Sequence, residues 1–207
     1  MAGDRAPVNT PAFWEGLYAS SQDGWELGEP APSLVTQLDA GLPVAPGARV
    51  AVPGAGRGHD ARLLARRGYV VTGFDFAEAA VVEARRLASG EGVTATFEQR
   101  DVFALGSDFA GAFDAAWEYT CFCAIDPERR AEYAGVLHDI LKPDGLLLAC
   151  FYPLQDGTDG PPFPVSRAGI EAVLSPHFDI LEAGPPPASP ERRLGLEWLV
   201  TARRRSS

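Results

Sequence analysis

The sequence has 207 residues, of which 46% are hydrophobic and 22% charged, a composition typical of one globular domain and not of a disordered chain. Its 28 acidic against 18 basic residues give a formal net charge of −10, which argues against nucleic acid and anionic membranes as partners. No apolar run approaches the roughly 20 residues of a membrane helix, and no apolar signal core follows Met1. The three cysteines are an odd number, which does not suggest a set of disulfides. We therefore expect a cytoplasmic protein with reduced thiols.

The first 48 residues differ from the rest and are interpreted as a helical cap or lid on a single domain spanning residues 1–207. They carry aromatic residues, Trp14 and Trp25 among them, between Pro, Gly and Ser without a long clean period. Thr10-Pro11 predicts a helix start, because Thr can cap a helix and Pro suits its first turn. Residues 31–40 show helical spacing of apolar side chains and predict a second short helix.

From residue 49 onward, strands and helices alternate and predict a Rossmann-like α/β core over residues 49–207. We expect strands at 49–53, 70–75, 94–101, 113–118, 145–151, 178–183 and 194–202, and helices at 57–67, 78–88, 126–141 and 166–174. Repeats of this length require parallel strands with crossover helices, hence a three-layer sandwich with helices on both faces of the sheet. The Pro-rich loop before the last strand is too short for a helical crossover, so the expected sheet is seven-stranded, mostly parallel, with an antiparallel last strand.

A glycine turn follows the first predicted strand and precedes a helix. It reads Gly54-Ala-Gly-Arg-Gly58, and glycine lets the backbone approach a nucleotide cofactor where a Cβ would collide. Asp75 ends the next strand, 21 residues after Gly54, where a carboxylate can accept hydrogen bonds from both ribose hydroxyls. Asp101 ends the third strand, beside where an adenine would lie. The alternative interpretation is an α/β domain with a tight turn and no ligand.

The spacing of the glycines bears on which nucleotide is bound. A dinucleotide-binding domain usually starts at its first strand and reads Gly-x-Gly-x-x-Gly. Here the third glycine comes one residue early, and about 48 residues precede the strand. Those features, with the antiparallel end of the sheet, resemble class I methyltransferases that use S-adenosylmethionine.

Four segments resemble the thiopurine and thiol/halide methyltransferase family more specifically. They are Val52-Pro-Gly-Ala-Gly-Arg-Gly-His-Asp60, the block from Phe113 to Arg130, Tyr152-Pro153 followed by Gly160-Pro-Pro-Phe163, and Asp23-Gly-Trp-Glu-Leu-Gly28. The resemblance runs from about residue 13 to residue 178, and the thiol/halide branch is the most similar. Three positions depart from the family pattern: Ala55 replaces a frequent Cys, Glu118 replaces Asp, and Tyr18 replaces a second Trp.

The resemblance implies a role for particular residues at each position that matches. The implied cofactor is S-adenosylmethionine, and the residues implied to bind it are Trp14, Trp25, Gly54, Gly56, Asp75, Phe76, Asp101, Val102 and Glu118. Tyr119 is implied to lie near the acceptor, and Arg130 matches an arginine in the family's substrate region. These two are the candidate catalytic residues.

The residues also fit the chemistry of methyl transfer to a soft nucleophile. A sulfonium donor is already activated, so a soft or anionic nucleophile needs alignment and a dry site more than a base. The sequence agrees with this, since it shows no obvious His-carboxylate base pair near the glycine turn. Cys121 and Cys123 have no further Cys or His at ligand spacing, so no metal site is expected.

We therefore predict a monomeric methyltransferase that acts by in-line displacement on a small thiol, bisulfide, thiocyanate or halide. A thiopurine or aryl thiol acceptor is the nearest variant. Two different functions stay open beside it, a non-catalytic cofactor-binding sensor and a nicotinamide oxidoreductase. The short glycine spacing and the absence of a Tyr-x-x-x-Lys pattern count against the oxidoreductase.

Overall fold

The computed structural model describes residues 8–206, in which seven strands form one sheet. The expectation about the segment after Met1 lies outside the described residues. The strands are β1 (Arg49–Pro53), β2 (Val70–Asp75), β3 (Thr96–Gln99), β4 (Phe113–Tyr119), β5 (Leu141–Phe151), β6 (Phe178–Gly184) and β7 (Trp198–Arg204). The helices are α1 (Pro11–Ala19), α2 (Pro32–Ala40), α3 (His59–Arg66), α4 (Glu78–Gly90), α5 (Leu105–Asp108), α6 (Arg130–Ile140) and α7 (Arg167–Leu174).

The strand order is β3-β2-β1-β4-β5-β7-β6, and this topology confirms the predicted fold. The pairs β2–β3, β1–β2, β1–β4 and β4–β5 are parallel. Strand β7 is antiparallel to both of its neighbours. Because Trp198 pairs with Phe151, β7 begins at the edge of the sheet where β5 ends.

Helices cover both faces of the sheet, as the alternation predicts. On one face α6 packs through Tyr133, Leu137 and Ile140, which lie at helical spacing and are at most 1% exposed. On the other face α2, α3 and α4 bury their apolar sides against β1, β2 and β4. Leu34 of α2 is fully buried there, so the second cap helix is part of the core.

The predicted elements differ from the structure mainly at their ends. The helix expected at 126–141 begins as a 3-10 turn whose first N–H is accepted by Asp126, and α6 proper starts at Arg130. Strand β5 starts at Leu141. The last strand begins four residues after the expected position, because Leu194 is 64% exposed and lies in a turn closed by Leu196 N donating to Arg193 O. Among residues 8–206, no helix is long and apolar enough to cross a membrane.

Candidate functional site

A cavity of about 490 Å³ lies at the carboxyl edge of the sheet, under the cap. Its volume is typical of small-molecule sites, roughly 300–1,000 Å³. Its lining comes from residues that follow β1, β2, β3, β4 and β5, from the cap, and from the loop before β7. Ligands of open α/β sheets bind at this edge, because the strand ends diverge there.

Of the predicted site residues, nine border this cavity or its smaller neighbour beside the glycine turn. Those on the large cavity are Trp14, Trp25, Gly54, Asp75, Phe76, Asp101 and Val102. Gly56 and Tyr119 border the smaller cavity, of about 70 Å³, and Trp25 and Gly54 border both cavities. The fold therefore brings together predicted residues from the cap and from the ends of four strands.

Glycine is required in this turn by packing within the chain, as well as by the close approach of a cofactor that the sequence predicts. Gly54 has φ +63°, and a Cβ there would lie 2.6 Å from the Cβ of Cys121, in the loop after β4. The sequence-based reason for this glycine was contact with a cofactor, and the structure adds this collision within the chain. Gly56 also has a positive φ, +54°, and its N–H donates to the Asp75 carboxylate at 2.8 Å.

The Asp75 carboxylate is fixed at the end of β2 by the backbone. One oxygen accepts from Gly56 N, and the other accepts from Ala77 N at 2.9 Å. Asp75 is 9% exposed, and burial raises its pKa to about 6 despite these donors. Each oxygen keeps a further lone pair, so the side chain can still accept from a ligand hydroxyl. Asp101 accepts from Phe103 N at 2.9 Å and borders the same cavity.

The cap closes the cavity with aromatic rings. Trp25 meets Trp14 edge to face at 5.6 Å between ring centroids and meets Tyr18 at 5.5 Å. The guanidinium of Arg57, in the glycine turn, lies over the Tyr18 ring at 5.4 Å and pairs with Glu26 of the cap at 3.1 Å. The cap is thus attached to the turn by charge and by ring contacts.

Glu118 is not on the cavity wall as the structure describes it. Its side chain is fully buried beneath the wall, where it accepts from Phe122 N at 2.8 Å and from the Tyr133 hydroxyl at 2.6 Å. Burial raises its pKa to about 7. The residue therefore braces the loop after β4 against α6, and its expected contact with the cofactor stays a prediction.

Tyr119 borders the smaller cavity and not the large one. Its hydroxyl donates to Glu197 at 2.6 Å and accepts from Arg193 at 2.7 Å. Burial raises the pKa of Tyr119 far above its ordinary value, so the phenol stays neutral. Its expected place near an acceptor stays a prediction.

Arg130 lies behind the wall of the large cavity. Its guanidinium donates to the carbonyls of Phe163 and Pro164, each at 3.0 Å, and its central carbon is 4.8 Å from the centroid of the Phe122 ring. The neighbouring residues 160–162 are on the wall. The structure therefore places Arg130 as a clamp on this loop, and its expected role at the acceptor stays a prediction.

The loop before β7 also belongs to the cavity wall, although no sequence motif marks it. Arg193, 2% exposed, borders the large cavity and donates to Trp25 O at 2.8 Å. Glu197, also 2% exposed, accepts from Tyr119. These contacts join residues 74 to 168 positions apart, so no local pattern could reveal them. The adjacent arginines 192 and 193 in an acidic chain were the available signal.

Two free thiols also border the large cavity. Cys121 and Cys123 are buried, and burial raises the pKa of Cys123 to about 12. Both therefore stay protonated at neutral pH. Within residues 8–206, no group of three or more His, Cys, Asp or Glu side chains is arranged to hold a metal ion.

Comparison with known proteins gives one family and many relatives. The family model of thiopurine S-methyltransferase matches residues 9–197. A thiocyanate methyltransferase of Arabidopsis thaliana is 34% identical over 166 residues, which cover 79% of this chain and 71% of the relative. A thiopurine S-methyltransferase of Shewanella loihica is 33% identical over 185 residues, which cover 82% of this chain and 84% of the relative.

Solved structures share the fold at lower identity. The 1,6-didemethyltoxoflavin-N1-methyltransferase of Burkholderia thailandensis, solved with S-adenosylhomocysteine, superposes with a TM-score of 0.73 at 23% identity, over 97% of this chain and 93% of that one. A structure from work on the conversion of a disulfide bond into a thioacetal group during echinomycin biosynthesis gives a TM-score of 0.78 at 23% identity, over 94% and 91% of the two chains. The fold is that of class I methyltransferases.

Proposed function

Because this chain belongs to the thiopurine S-methyltransferase family, we propose that it transfers a methyl group from S-adenosylmethionine to a small soft nucleophile. The acceptors proposed are a thiol, bisulfide, thiocyanate or halide. Relatives at 33–34% identity include enzymes named for thiocyanate and for thiopurine, which agrees with a sulfur-type acceptor. The predictions of a monomer, of a cytoplasmic location and of no nucleic-acid partner stay predictions.

The residues of the large cavity fit the cofactor. Asp75 and Asp101 offer carboxylate oxygens that accept from hydroxyl and amino groups. Val102 offers an apolar surface on which a flat base can lie. The rings of Trp14 and Trp25 offer π faces, which attract a sulfonium cation. When bound, the cofactor supplies a methyl group on a positively charged sulfur.

The contribution of the chain is to align the reactants and to exclude water. The aromatic cap covers the cavity, and the glycine turn with the loop after β4 forms its floor. The polar side chains at the strand ends are held by backbone donors and neighbouring side chains, so they need little reorganisation when a ligand binds. The neutral thiols Cys121 and Cys123 do not compete with the acceptor as nucleophiles, because the thiolate is the reactive form.

The observation that favours an anionic acceptor is the distribution of charge around the cavity. Asp75 and Asp101 lie on the β2–β3 side. Arg192 and Arg193 lie on the β7 side, across β1, β4 and β5. Arg129 also borders the cavity, close to Asp101, so three guanidinium groups face two carboxylates on the wall, and this excess of positive charge favours an anion. Bisulfide, thiocyanate and halides are anions at neutral pH, and a thiol is partly ionised.

The experiment that tests this proposal is a panel of acceptors. Release of S-adenosylhomocysteine is measured with iodide, thiocyanate, bisulfide, a simple aryl thiol and a thiopurine. We expect turnover on the small anions. Turnover on the aromatic thiols alone would favour the larger acceptor, which the identity with the Shewanella loihica enzyme supports. Cofactor binding without turnover on any acceptor would refute the substrate class and favour a sensor.

A further inference from the structure

Two consecutive arginines in the loop before β7 hold the backbone of the cap. Arg192 donates to the carbonyls of Gly24 and Glu26, at 2.8 and 3.0 Å. Arg193 donates to the carbonyl of Trp25 between them, at 2.8 Å. Three consecutive carbonyls in a cap segment without helix or strand are therefore held by one short stretch from the other end of the chain.

Arg193 makes further contacts that Arg192 does not share. Its guanidinium donates to the Tyr119 hydroxyl at 2.7 Å, and it lies 5.1 Å from the Tyr119 ring and 4.6 Å from the Tyr152 ring. It thereby joins the cap to the ends of β4 and β5. Arg193 is 2% exposed, and a buried guanidinium costs several kcal/mol of desolvation that only good hydrogen bonds offset.

Trp25, the residue that Arg193 holds, lies at the junction of the two cavities. Trp25, Gly54 and Thr120 border both of them. Arg57 holds the same cap segment from the glycine turn, through Asp23 and Glu26. The ring over the junction is thus fixed from two sides, by the glycine turn and by the loop before β7.

We propose that Arg193 is a positioning residue for methyl transfer, with Arg192 as its outer partner. The pair sets Trp25 over the junction of the two cavities and so closes the cap on a bound cofactor. Two donors of Arg193 are committed to Trp25 and Tyr119, so it acts through those residues and not by binding the acceptor. The inference rests on the proposed function for what the cavity binds.

Substitutions at the two arginines test the proposal. Arg193→Ala removes both contacts, and Arg193→Lys keeps the charge but replaces the two guanidinium nitrogens that bond Tyr119 and Trp25 O with a single ammonium group. Arg192→Ala removes an exposed side chain, so it is expected to fold even where Arg193→Ala does not. The matched control is Arg86→Ala, since Arg86 lies on the outer face of α4 with its side chain 67% exposed.

Two measurements are made on each variant: the Kd for S-adenosylhomocysteine and hydrogen exchange across residues 11–30 with that ligand bound. We expect Arg193→Ala to raise the Kd at least about tenfold, because hydrogen bonds from a charged group are lost, and to speed exchange in the cap. Arg193→Lys should remain impaired, Arg192→Ala should speed exchange to a smaller extent, and Arg86→Ala should match the parent protein.

Steady-state kinetics then separate positioning from acceptor binding. In Arg193→Lys we expect KM for the cofactor to rise while KM for the acceptor stays within about twofold. Unchanged cap exchange in both Arg193 variants, or full recovery by lysine, would overturn the proposal in favour of a pure charge effect. If no acceptor in the panel is methylated, the proposed substrate class is wrong, but S-adenosylhomocysteine binding and hydrogen exchange can still be measured. The proposal about Arg193 can therefore be tested independently of the proposed function.

Discussion

The carboxylate of Asp75 is held at the cavity edge by the N–H groups of Gly56 and Ala77, at 2.8 and 2.9 Å. Its pKa is raised to about 6, chiefly by burial and further by the charge of Glu15. The ionised side chain accepts hydrogen bonds at both oxygens, whereas the protonated one must donate at one of them. A ligand that donates hydroxyls to Asp75 therefore selects the ionised form.

We predict that the affinity for S-adenosylhomocysteine is constant above about pH 7 and falls up to about tenfold per pH unit well below pH 6. Titration calorimetry from pH 5 to pH 8 measures this dependence. Asp75→Asn should bind more weakly by about 1–3 kcal/mol and should lose the slope. The exposed Asp108→Asn is the matched control. A slope that survives in Asp75→Asn would assign the titration to another group.

At the scale of elements, the loop after β5 is fixed by a helix start. Arg130, the first residue of α6, holds the carbonyls of Phe163 and Pro164. Phe163 N in turn donates to Cys123 O at 2.7 Å. The loop after β4 and the loop after β5 are therefore joined, and both contribute to the cavity wall.

We predict that Arg130→Ala lowers the free energy of unfolding by about 1–3 kcal/mol and speeds hydrogen exchange across residues 155–165. Denaturant unfolding and exchange measure the two effects. Arg130→Lys, which reaches one carbonyl, should lie between the parent and the alanine variant. The contrary result is a rise in KM for the acceptor alone, with stability and exchange unchanged. It would restore Arg130 to the acceptor region, where the sequence placed it.

The elements could be predicted from sequence where the pattern is local. Strand β2 matches the predicted 70–75, because a short apolar run between Gly68 and an acid leaves little freedom for another assignment. The last strand was misplaced because Leu194 and Leu196 alternate like a strand. In the structure, Leu196 O instead accepts from Leu154 N, outside the sheet.

The positions of the candidate site residues could also be predicted where the signal is local. Asp75 and Asp101 could be placed at one cavity from the sequence, because a strand end is a local feature and parallel strands end at one edge. Glu118 sits at the β4 end as expected, but alternation points its side chain under the wall, to Tyr133 of α6. The role of Arg193 depends on Trp25, 168 residues away, and packing over that distance is absent from the sequence pattern.

At the scale of the whole molecule, buried carboxyl groups set how stability depends on pH. Burial raises the pKa of Asp60, Asp75 and Glu118 above their ordinary values. In the acid range the folded chain therefore binds more protons at these sites than the unfolded chain, and acidification stabilises the fold. Over the same pH range, protonation of carboxylates makes the net charge of −10 smaller in magnitude, which reduces the repulsion between negative charges of the chain. His177 opposes this, since desolvation lowers its pKa.

Carboxyl groups with a lowered pKa change the stability of the fold at a lower pH. Ion pairs and hydrogen bonds lower the pKa of Glu26 to about 2 and also lower that of Glu132. Their stabilisation is present above the unfolded pKa, near 4.5, and is lost below it. From the two groups of acids together we expect stability to be greatest between the two ranges, at about pH 5, and not at neutral pH.

We predict that the free energy of unfolding rises as the pH falls from 7.5 to about 5, and that Glu118 supplies a large part of the slope. A pKa raised from 4.5 to about 7 corresponds to a change on the order of 2–3 kcal/mol across that interval. Glu118→Gln keeps an oxygen for Phe122 N and places an amide beside the Tyr133 hydroxyl, which can accept from it. This variant should therefore fold and show a flatter dependence.

Denaturant unfolding of the parent, Glu118→Gln and Glu132→Gln at pH 5, 6, 7 and 7.5 measures the slopes. Glu132 is the matched control, because its side chain is 52% exposed and its lowered pKa removes it from this interval. Equal slopes in the parent and in Glu118→Gln would mean that the pKa of the Glu118 carboxyl in the folded protein lies below this pH interval. The buried Glu118 side chain would then be ionised at neutral pH. The free-energy cost of burying its charge would be offset by the hydrogen bonds from Phe122 N and the Tyr133 hydroxyl.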